Sequence, residues 1–180
     1  ILVKAEGQGY FDAVEEEFRQ IVEMDGGPHT IPQAELDRVA ACFVPPVLAD
    51  LPDVEPARLE AQLEALGTER PEFARWLARN VHAHQNPQLR AVTLSFKRVG
   101  QSPGDASADQ LDALAALVDK YSAGEARVTH DQNVLLPWVH GSQLFALWQE
   151  AKALGLASAN VHLLTDMIAC PGGDFCALAN

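Results

Sequence analysis

The spacing of apolar residues changes abruptly near residue 88, and this change constrains the fold more than any other feature of the sequence. Val92, Leu94 and Phe96 alternate with small or polar residues, which predicts a half-buried strand. Segments with the patterns of a helix, two strands, a helix and a strand follow in turn up to residue 165. A βαββαβ order predicts the ferredoxin-like arrangement, in which one sheet carries both helices on one face.

Local signals give the boundaries of these elements. Ser107 and Gln110 have the spacing of a capping box and predict the start of the first helix. "EARVTH" and "NVLLPWV" predict two strands joined by a tight turn at residues 130–132. Gly155 is expected to end the second helix, and "ANVHLL" at residues 159–164 is the predicted last strand.

In the first 87 residues, the spacing of apolar side chains predicts helices joined by proline-rich loops. The expected helices cover residues 7–24, a segment capped by Thr30 with Pro32 in its first turn, residues 57–66 ending at Gly67, and residues 71–81. The sequence thus predicts an α+β protein, with a mostly helical region at 1–87, a ferredoxin-like half domain at 88–165 and a separate segment at 166–180.

Charge and composition exclude several classes of function. Asp and Glu outnumber Lys and Arg by 25 to 13, and a formal charge of −12 disfavours binding to nucleic acid or anionic lipid. No apolar run reaches the length of about 18 residues that suggests a membrane span. Only three cysteines are present, which favours a reducing, cytoplasmic location.

Two of the three cysteines, Cys170 and Cys176, lie in the loop "ACPGGDFC". Their C-x5-C spacing differs from the C-x2-C of zinc ribbons and thioredoxins, so the pair could be two free thiols or two ligands of an iron–sulfur cluster. Cys42 ends an apolar helix stripe and is expected to be a buried small residue. The six histidines are scattered and are expected to be surface or core residues rather than zinc ligands.

The sheet face opposite the helices is predicted to be polar. Strand alternation places on it Thr93, Ser95, Lys97, Arg127 and Thr129. Such a face is either solvated or covered by something else, such as a cofactor or another domain.

Residues 89–180 resemble the siroheme-dependent sulfite and nitrite reductases. The resemblance depends on the half-domain segment built around "RVTHDQNVLL" and on the following "ACPGGDFC" loop. It implies that residues 1–87 are a linker region and that 166–180 begin the segment that binds siroheme and a [4Fe–4S] cluster. It also implies that the sequence, which starts with Ile1, is a fragment of a longer reductase and is inactive alone.

The resemblance also implies roles for individual residues. Cys170 and Cys176 match the first pair of cluster ligands, and the second pair would come from the rest of the protein's own chain. Thr129, Gln132 and Asn133 match the motif that lies near siroheme. Lys97, Arg98 and Arg127 are weaker candidates, because cations on the cofactor side of the sheet could meet the siroheme carboxylates.

In the full-length protein, the resemblance implies a six-electron reduction that uses siroheme and a [4Fe–4S] cluster. The electron donor would be ferredoxin or a flavoprotein reductase. The sequence favours an assimilatory sulfite reductase that forms sulfide, with a nitrite reductase that forms ammonia as the alternative. A non-catalytic α+β binding module with incidental thiols is the third hypothesis.

Overall fold

The computed structural model describes residues 2–27, 29–48, 52–170, 172–174 and 176–179. The chain forms two compact units, Ile1–Pro45 and Pro46–Asn180. The second unit contains the sheet and the apolar core, and the α+β prediction is confirmed.

The first unit contains three helices, α1 (Leu2–Glu6), α2 (Gln8–Asp25) and α3 (Gln33–Ala40). Gly26 ends α2 in the left-handed conformation, and its N–H donates to the carbonyl of Val22. The prediction that Thr30 caps the next helix is wrong. Pro32 occupies the N-cap position in an extended conformation, and its carbonyl accepts the first helical hydrogen bonds. It provides no side-chain cap, because proline has no side-chain acceptor.

Amphipathic patterning in this first unit does not produce a core. Among residues 3–27 and 29–45, no side chain is buried. The expectation that Cys42 is buried is therefore wrong, since this residue is exposed, just past the end of α3. Its Sγ atom donates to the carbonyl of Arg38 at 3.6 Å.

The second unit begins with two helices, α4 (Pro56–Glu69) and α5 (Pro71–Asn80). The sequence predicted that α4 ends at Gly67, but the helix continues to Glu69. The break comes before Pro71, which disfavours helical geometry in the preceding residue. Gly67 instead provides space between the two helices, because a Cβ atom there would lie 3.3 Å from the Cβ of Ala74.

Phe73 and Trp76 of α5 are completely buried in the core of the second unit. Residues 56–80, which the sequence assigned to the helical region, therefore pack in the same unit as the half domain.

The sheet has four strands, β1 (Val81–Ala83), β2 (Leu89–Leu94), β3 (Arg127–Val128) and β4 (Val134–His140). Their spatial order is β1-β2-β4-β3, and every neighbouring pair is antiparallel. The sequence predicted β2, β3 and β4, although β3 is short, but it did not predict β1.

Two further helices, α6 (Ala108–Tyr121) and α7 (Leu144–Ala153), provide much of the apolar core. The predicted capping box at the start of α6 is confirmed, because Ser107 accepts from the N–H of Gln110 and the Gln110 side chain accepts from the N–H of Ser107. Gly155 adopts a positive φ of 75° just after α7, as its predicted role at the helix end requires.

The predicted last strand is wrong. Residues 159–164 form turns, with the N–H of Leu163 bonded to the carbonyl of Asn160 and with His162 at a φ of +62°. The edge of β2 where this strand would pair is occupied by β1. The Asn160 side chain is also buried and donates to backbone carbonyls, which favours a turn over an extended ladder.

No helix in the described part of the chain is long and apolar enough to cross a membrane.

The core of the second unit joins both helix pairs to the sheet, through residues such as Trp76, Val92, Leu136 and Leu147.

A close contact between Gly141 and Leu59 gives a test of this packing. A Cβ atom at Gly141 would overlap the Cδ2 atom of Leu59, which is 1% exposed. We expect Gly141→Ala to lower the free energy of unfolding by about 1–3 kcal/mol, the usual cost of overpacking a core.

Urea unfolding of Gly141→Ala, Leu59→Ala and the double variant measures the coupling between the two sites. The double variant should lose less stability than the sum of the single variants, because Leu59→Ala removes the overlapping atoms. Strict additivity would contradict the contact.

Candidate functional site

Lys97 lies just beyond the end of β2 and is only 5% exposed. Its ammonium group donates to the Oδ1 atom of Asp166 at 3.0 Å and to the carbonyl of Asp166 at 2.8 Å. The carbonyl of Asp131 is a third acceptor. All three ammonium hydrogens are thus used within the chain, and none is left for the siroheme carboxylate predicted from the sequence.

The Asp166 carboxylate is the other half of this buried ion pair. It accepts from the Asn133 side chain and from the N–H of His162, both at 2.9 Å, in addition to Lys97. Burial raises the pKa of Asp166, but the hydrogen bonds from Asn133, His162 and Lys97 outweigh this effect and hold the pKa below its ordinary value.

Asn133 connects the ion pair to the sheet. Its Oδ1 atom accepts from the N–H of Phe96 at 3.1 Å, while its amide nitrogen donates to Asp166. The backbone N–H of Asn133 donates to the Thr129 hydroxyl at 3.1 Å, and its carbonyl accepts from the N–H of Thr129 at 2.9 Å. These bonds close the turn between β3 and β4, and they make Asn133 a structural link whose side-chain oxygen and nitrogen both have partners within the chain.

Gln132 lies in the same turn and reaches the segment before the cysteines. Its side-chain nitrogen donates to the carbonyl of Ala169 at 2.7 Å, and its side-chain oxygen accepts from the N–H of Ala169 at 3.0 Å. Ala169 directly precedes Cys170. The structure therefore joins a residue of the predicted siroheme motif to the backbone that leads into the predicted cluster loop.

The remaining predicted cofactor residues lie outside this network or only at its edge. Arg127 is exposed, and its Nε atom donates to Glu125 at 2.7 Å. Arg98 is also exposed and packs against Gly155. Thr129 is half-buried, with its hydroxyl bonded to Asn133.

The polar face predicted for the sheet is covered near β2 by the chain's own later residues. Thr93 and Ser95 are buried together with Lys97. The N–H of Ser95 donates to the carbonyl of Leu156 at 3.0 Å, and the Asn160 side chain donates to the carbonyl of Lys97 at 3.1 Å. Solvation of this part of the face, one of the two predicted alternatives, is therefore wrong, because Thr93, Ser95 and Lys97 are buried within the chain itself.

The cysteine loop has the chemistry of half an iron–sulfur site. Cys170 is exposed, Cys176 is half-buried, and both are free thiols. The N–H of Gly172 donates to the Sγ atom of Cys170 at 3.4 Å, and Gly172 has a φ of +66°. An N–H donor to sulfur and two thiols suit thiolate ligation of iron, so this donor set fits two of the four protein ligands of a [4Fe–4S] cluster. In the part of the chain that the structure describes, no group of three metal-ligating side chains occurs.

Comparison with known proteins agrees with this architecture. Residues 84–154 match the family model of the nitrite/sulfite reductase ferredoxin-like half domain. The chain belongs to the nitrite and sulfite reductase family through this half domain. The ferredoxin-like prediction is therefore confirmed by the family match as well as by the mixed helix and sheet content.

Several curated relatives are ferredoxin–nitrite reductases. The chloroplastic enzyme of Arabidopsis thaliana is 38% identical over 95 residues, which cover 52% of this chain and 16% of that protein. The enzyme of Synechococcus elongatus is 31% identical over 123 residues, or 67% of this chain and 23% of that protein. The chain thus spans less than a quarter of the length of these relatives.

No sequence pattern singled out Asp166, Asn160 and Gly104, which contact Lys97 or Gln132 in the structure. A signal for Asp166 was present, because a lysine next to the buried alternation of β2 needs an anionic partner. Residues 151–180 contain only two acids, Asp166 and Asp174. Gly104 gave no such signal, since its contact with the Gln132 side chain joins two separate loops.

We expect Asp166→Asn to lower the free energy of unfolding at pH 7 by about 3–5 kcal/mol, because it leaves the Lys97 charge buried without its counter-ion. Urea unfolding measures this loss. Since the folded pKa of Asp166 is depressed, its contribution is present above the unfolded value of about 3.9 and is lost as the pH falls through the folded pKa.

The variant should therefore lose less stability than the wild type between about pH 5 and the acid limit of folding. Equal stability of the two proteins at pH 7 would contradict the role of this ion pair.

Proposed function

We propose that this chain is part of a ferredoxin-dependent nitrite reductase that reduces nitrite to ammonia with six electrons. The observation that carries the proposal is the similarity of the chain to ferredoxin–nitrite reductases of plants and a cyanobacterium. This replaces the preference for sulfite reached from the sequence, because the curated relatives named above act on nitrite. Ferredoxin replaces the flavoprotein reductase as the favoured electron donor for the same reason.

In this proposal Cys170 and Cys176 provide two thiolates of a [4Fe–4S] cluster, and the other two come from outside these 180 residues. Siroheme and the cluster, when bound, supply the electron-transfer and anion-reduction chemistry. The chain's own contribution is to orient two thiolates. The N–H of Gly172 would stabilise the negative charge on the Cys170 sulfur, at the hydrogen-bond distance of 3.4 Å.

Contact with siroheme is assigned in this proposal to the exposed end of the β3–β4 hairpin. Arg127 presents a cation whose described partner is the neighbouring carboxylate of Glu125, and a siroheme carboxylate could replace that partner. Thr129 lies two residues further along the same hairpin. Lys97, Gln132 and Asn133 act indirectly, because their polar atoms hold the chain that leads to Cys170.

Two other expectations from the sequence stay predictions. One is that the 180-residue chain alone is inactive, because it would lack half of the cluster ligands. The other is the cytoplasmic location, which is based on the low cysteine content.

The test uses the full-length protein, expressed anaerobically with siroheme and iron available. We expect wild-type protein to show siroheme and cluster absorption bands and to reduce nitrite with reduced ferredoxin, with a higher kcat/KM for nitrite than for sulfite. Cys170→Ser should lose the cluster bands and the activity, because an iron–sulfur cluster needs its full set of thiolates.

Cys42→Ser is the matched control, since Cys42 is an exposed thiol in the other compact unit. It should retain both the bands and the activity. Cluster bands that survive Cys170→Ser would contradict the ligand assignment. A full-length protein without either cofactor would support a non-catalytic module, and a higher kcat/KM for sulfite would reverse the choice of substrate.

A further inference from the structure

The stretch between Asp166 and Cys170 has little apolar packing to hold it in place. Met167 and Ile168 are 63% and 61% exposed, although both have large apolar side chains. Polar contacts at the two ends of this stretch must therefore determine its path. One is the buried ion pair of Asp166 with Lys97, and the other is the contact of Gln132 with Ala169.

The contact at Ala169 fixes a peptide direction as well as a position. The Gln132 amide donates to the Ala169 carbonyl and accepts from the Ala169 N–H, so it pairs with one residue's backbone as a neighbouring strand would. Two simultaneous bonds to one residue restrict rotation about the backbone on both sides of its Cα atom. The next residue is Cys170, and the direction of its Cα–Cβ bond depends on that rotation.

Gln132 is itself held in an unusual backbone conformation. Its φ is +56°, which is uncommon for a residue other than glycine, asparagine or aspartate. The N–H of Gln132 donates to the carbonyl of Thr129 at 3.2 Å, and the adjacent Asn133 is buried against Phe96 and Asp166. The turn therefore maintains a backbone conformation that is unfavourable for glutamine.

The opposite side of the Gln132 side chain is bounded by a glycine. A Cβ atom at Gly104 would lie 2.9 Å from the Cβ of Gln132 and 3.1 Å from its Cδ. Gly104 has a φ of +83°, and its N–H donates to the carbonyl of Phe96. The loop that follows β2 thus approaches Gln132 so closely that the amide has little freedom to swing away from Ala169.

We propose that Gln132 is a positioning residue for the Cys170 thiolate. Its amide presets the direction of the chain entering the cluster loop, so that the Cys170 sulfur is oriented before iron binds. This inference rests on the proposed function, since it assumes that Cys170 is a cluster ligand. It gives Gln132 a role through the protein backbone instead of the direct contact with siroheme predicted from the sequence.

The test measures cluster retention and the electronic structure of the cluster in the full-length holoprotein. We expect Gln132→Ala to speed the loss of iron to a chelator by about 10–100-fold, the range seen when outer-shell partners of metal ligands are removed. The electron paramagnetic resonance spectrum of the reduced cluster should also shift, because the Cys170 sulfur meets its iron at a changed angle. The urea midpoint of unfolding should change little, because the side-chain amide of Gln132 is not part of the apolar core.

Two further variants and a control separate the contact from a general disturbance of the turn. Gln132→Asn keeps a residue type that tolerates positive φ but is one carbon too short, so it should reproduce the effects of Gln132→Ala. Gln132→Glu keeps the acceptor for the Ala169 N–H but loses the donor to the Ala169 carbonyl. This variant should therefore lose iron at least as fast as Gln132→Ala. Gln101→Ala is the control, because Gln101 is an exposed glutamine in the loop after β2.

Iron loss at the wild-type rate with an unchanged spectrum in both Gln132→Ala and Gln132→Asn would overturn the inference. A Gln101→Ala variant that behaves like Gln132→Ala would also overturn it. If Cys170→Ser retains the cluster, the assignment of Cys170 as a cluster ligand in the proposed function is wrong. If Cys170→Ser loses the cluster while the Gln132 variants keep it at the wild-type rate, only the positioning role fails.

Discussion

The buried ion pair between Lys97 and Asp166 is the interaction on which the C-terminal part of the described fold depends. Placing two charges at 2% and 4% side-chain exposure is unfavourable unless nearly every polar atom finds a partner. The chain meets this requirement by converging on the pair from the hairpin and from residues 160–166. The Asn133 side chain and the N–H of His162 donate to the Asp166 carboxylate, while Asn160 donates to the backbone carbonyl of Lys97.

The position of β1 explains why polar side chains, and not a further strand of the sheet, hold the segment after α7. β1 occupies the edge of β2 where a last strand of the ferredoxin-like order would pair. The segment after α7 therefore does not pair with β2 as a strand, and it meets the chain just beyond the end of β2, where the N–H of Ser95 donates to the carbonyl of Leu156. Asn80 completes this arrangement, because its side chain donates to the carbonyls of Thr93 in β2 and Ser158 in the segment after α7.

Local patterns in the sequence predicted the parts of the fold that depend on neighbouring residues. The capping box at Ser107 and the alternation around Val92 and Leu94 depend on short-range spacing, and both were correct. "ANVHLL" has a similar alternation, yet its place at the sheet edge was already taken, which only the three-dimensional pairing shows. β1 was missed because its three residues directly follow the helical periodicity of α5.

The candidate site was predicted as a set of residues but not as a network. The half-domain motif named Gln132 and Asn133, and alternation named Lys97, yet none of these patterns specifies a partner. Asp166 is 69 residues from Lys97, and Ala169 is 37 residues from Gln132. Contacts at such separations depend on the completed fold, so a local pattern identifies at most one of the two partners.

The contact between Gln132 and Ala169 has a consequence for how this site can change during evolution. A strand held in a backbone ladder moves only in whole-residue steps, and each step turns every side chain to the opposite face. A segment held by single side chains has no such restriction, because a longer, shorter or differently charged residue shifts it by fractions of an ångström. The entry to the cysteine loop is therefore adjustable by point substitutions, while the sheet beneath it stays in register.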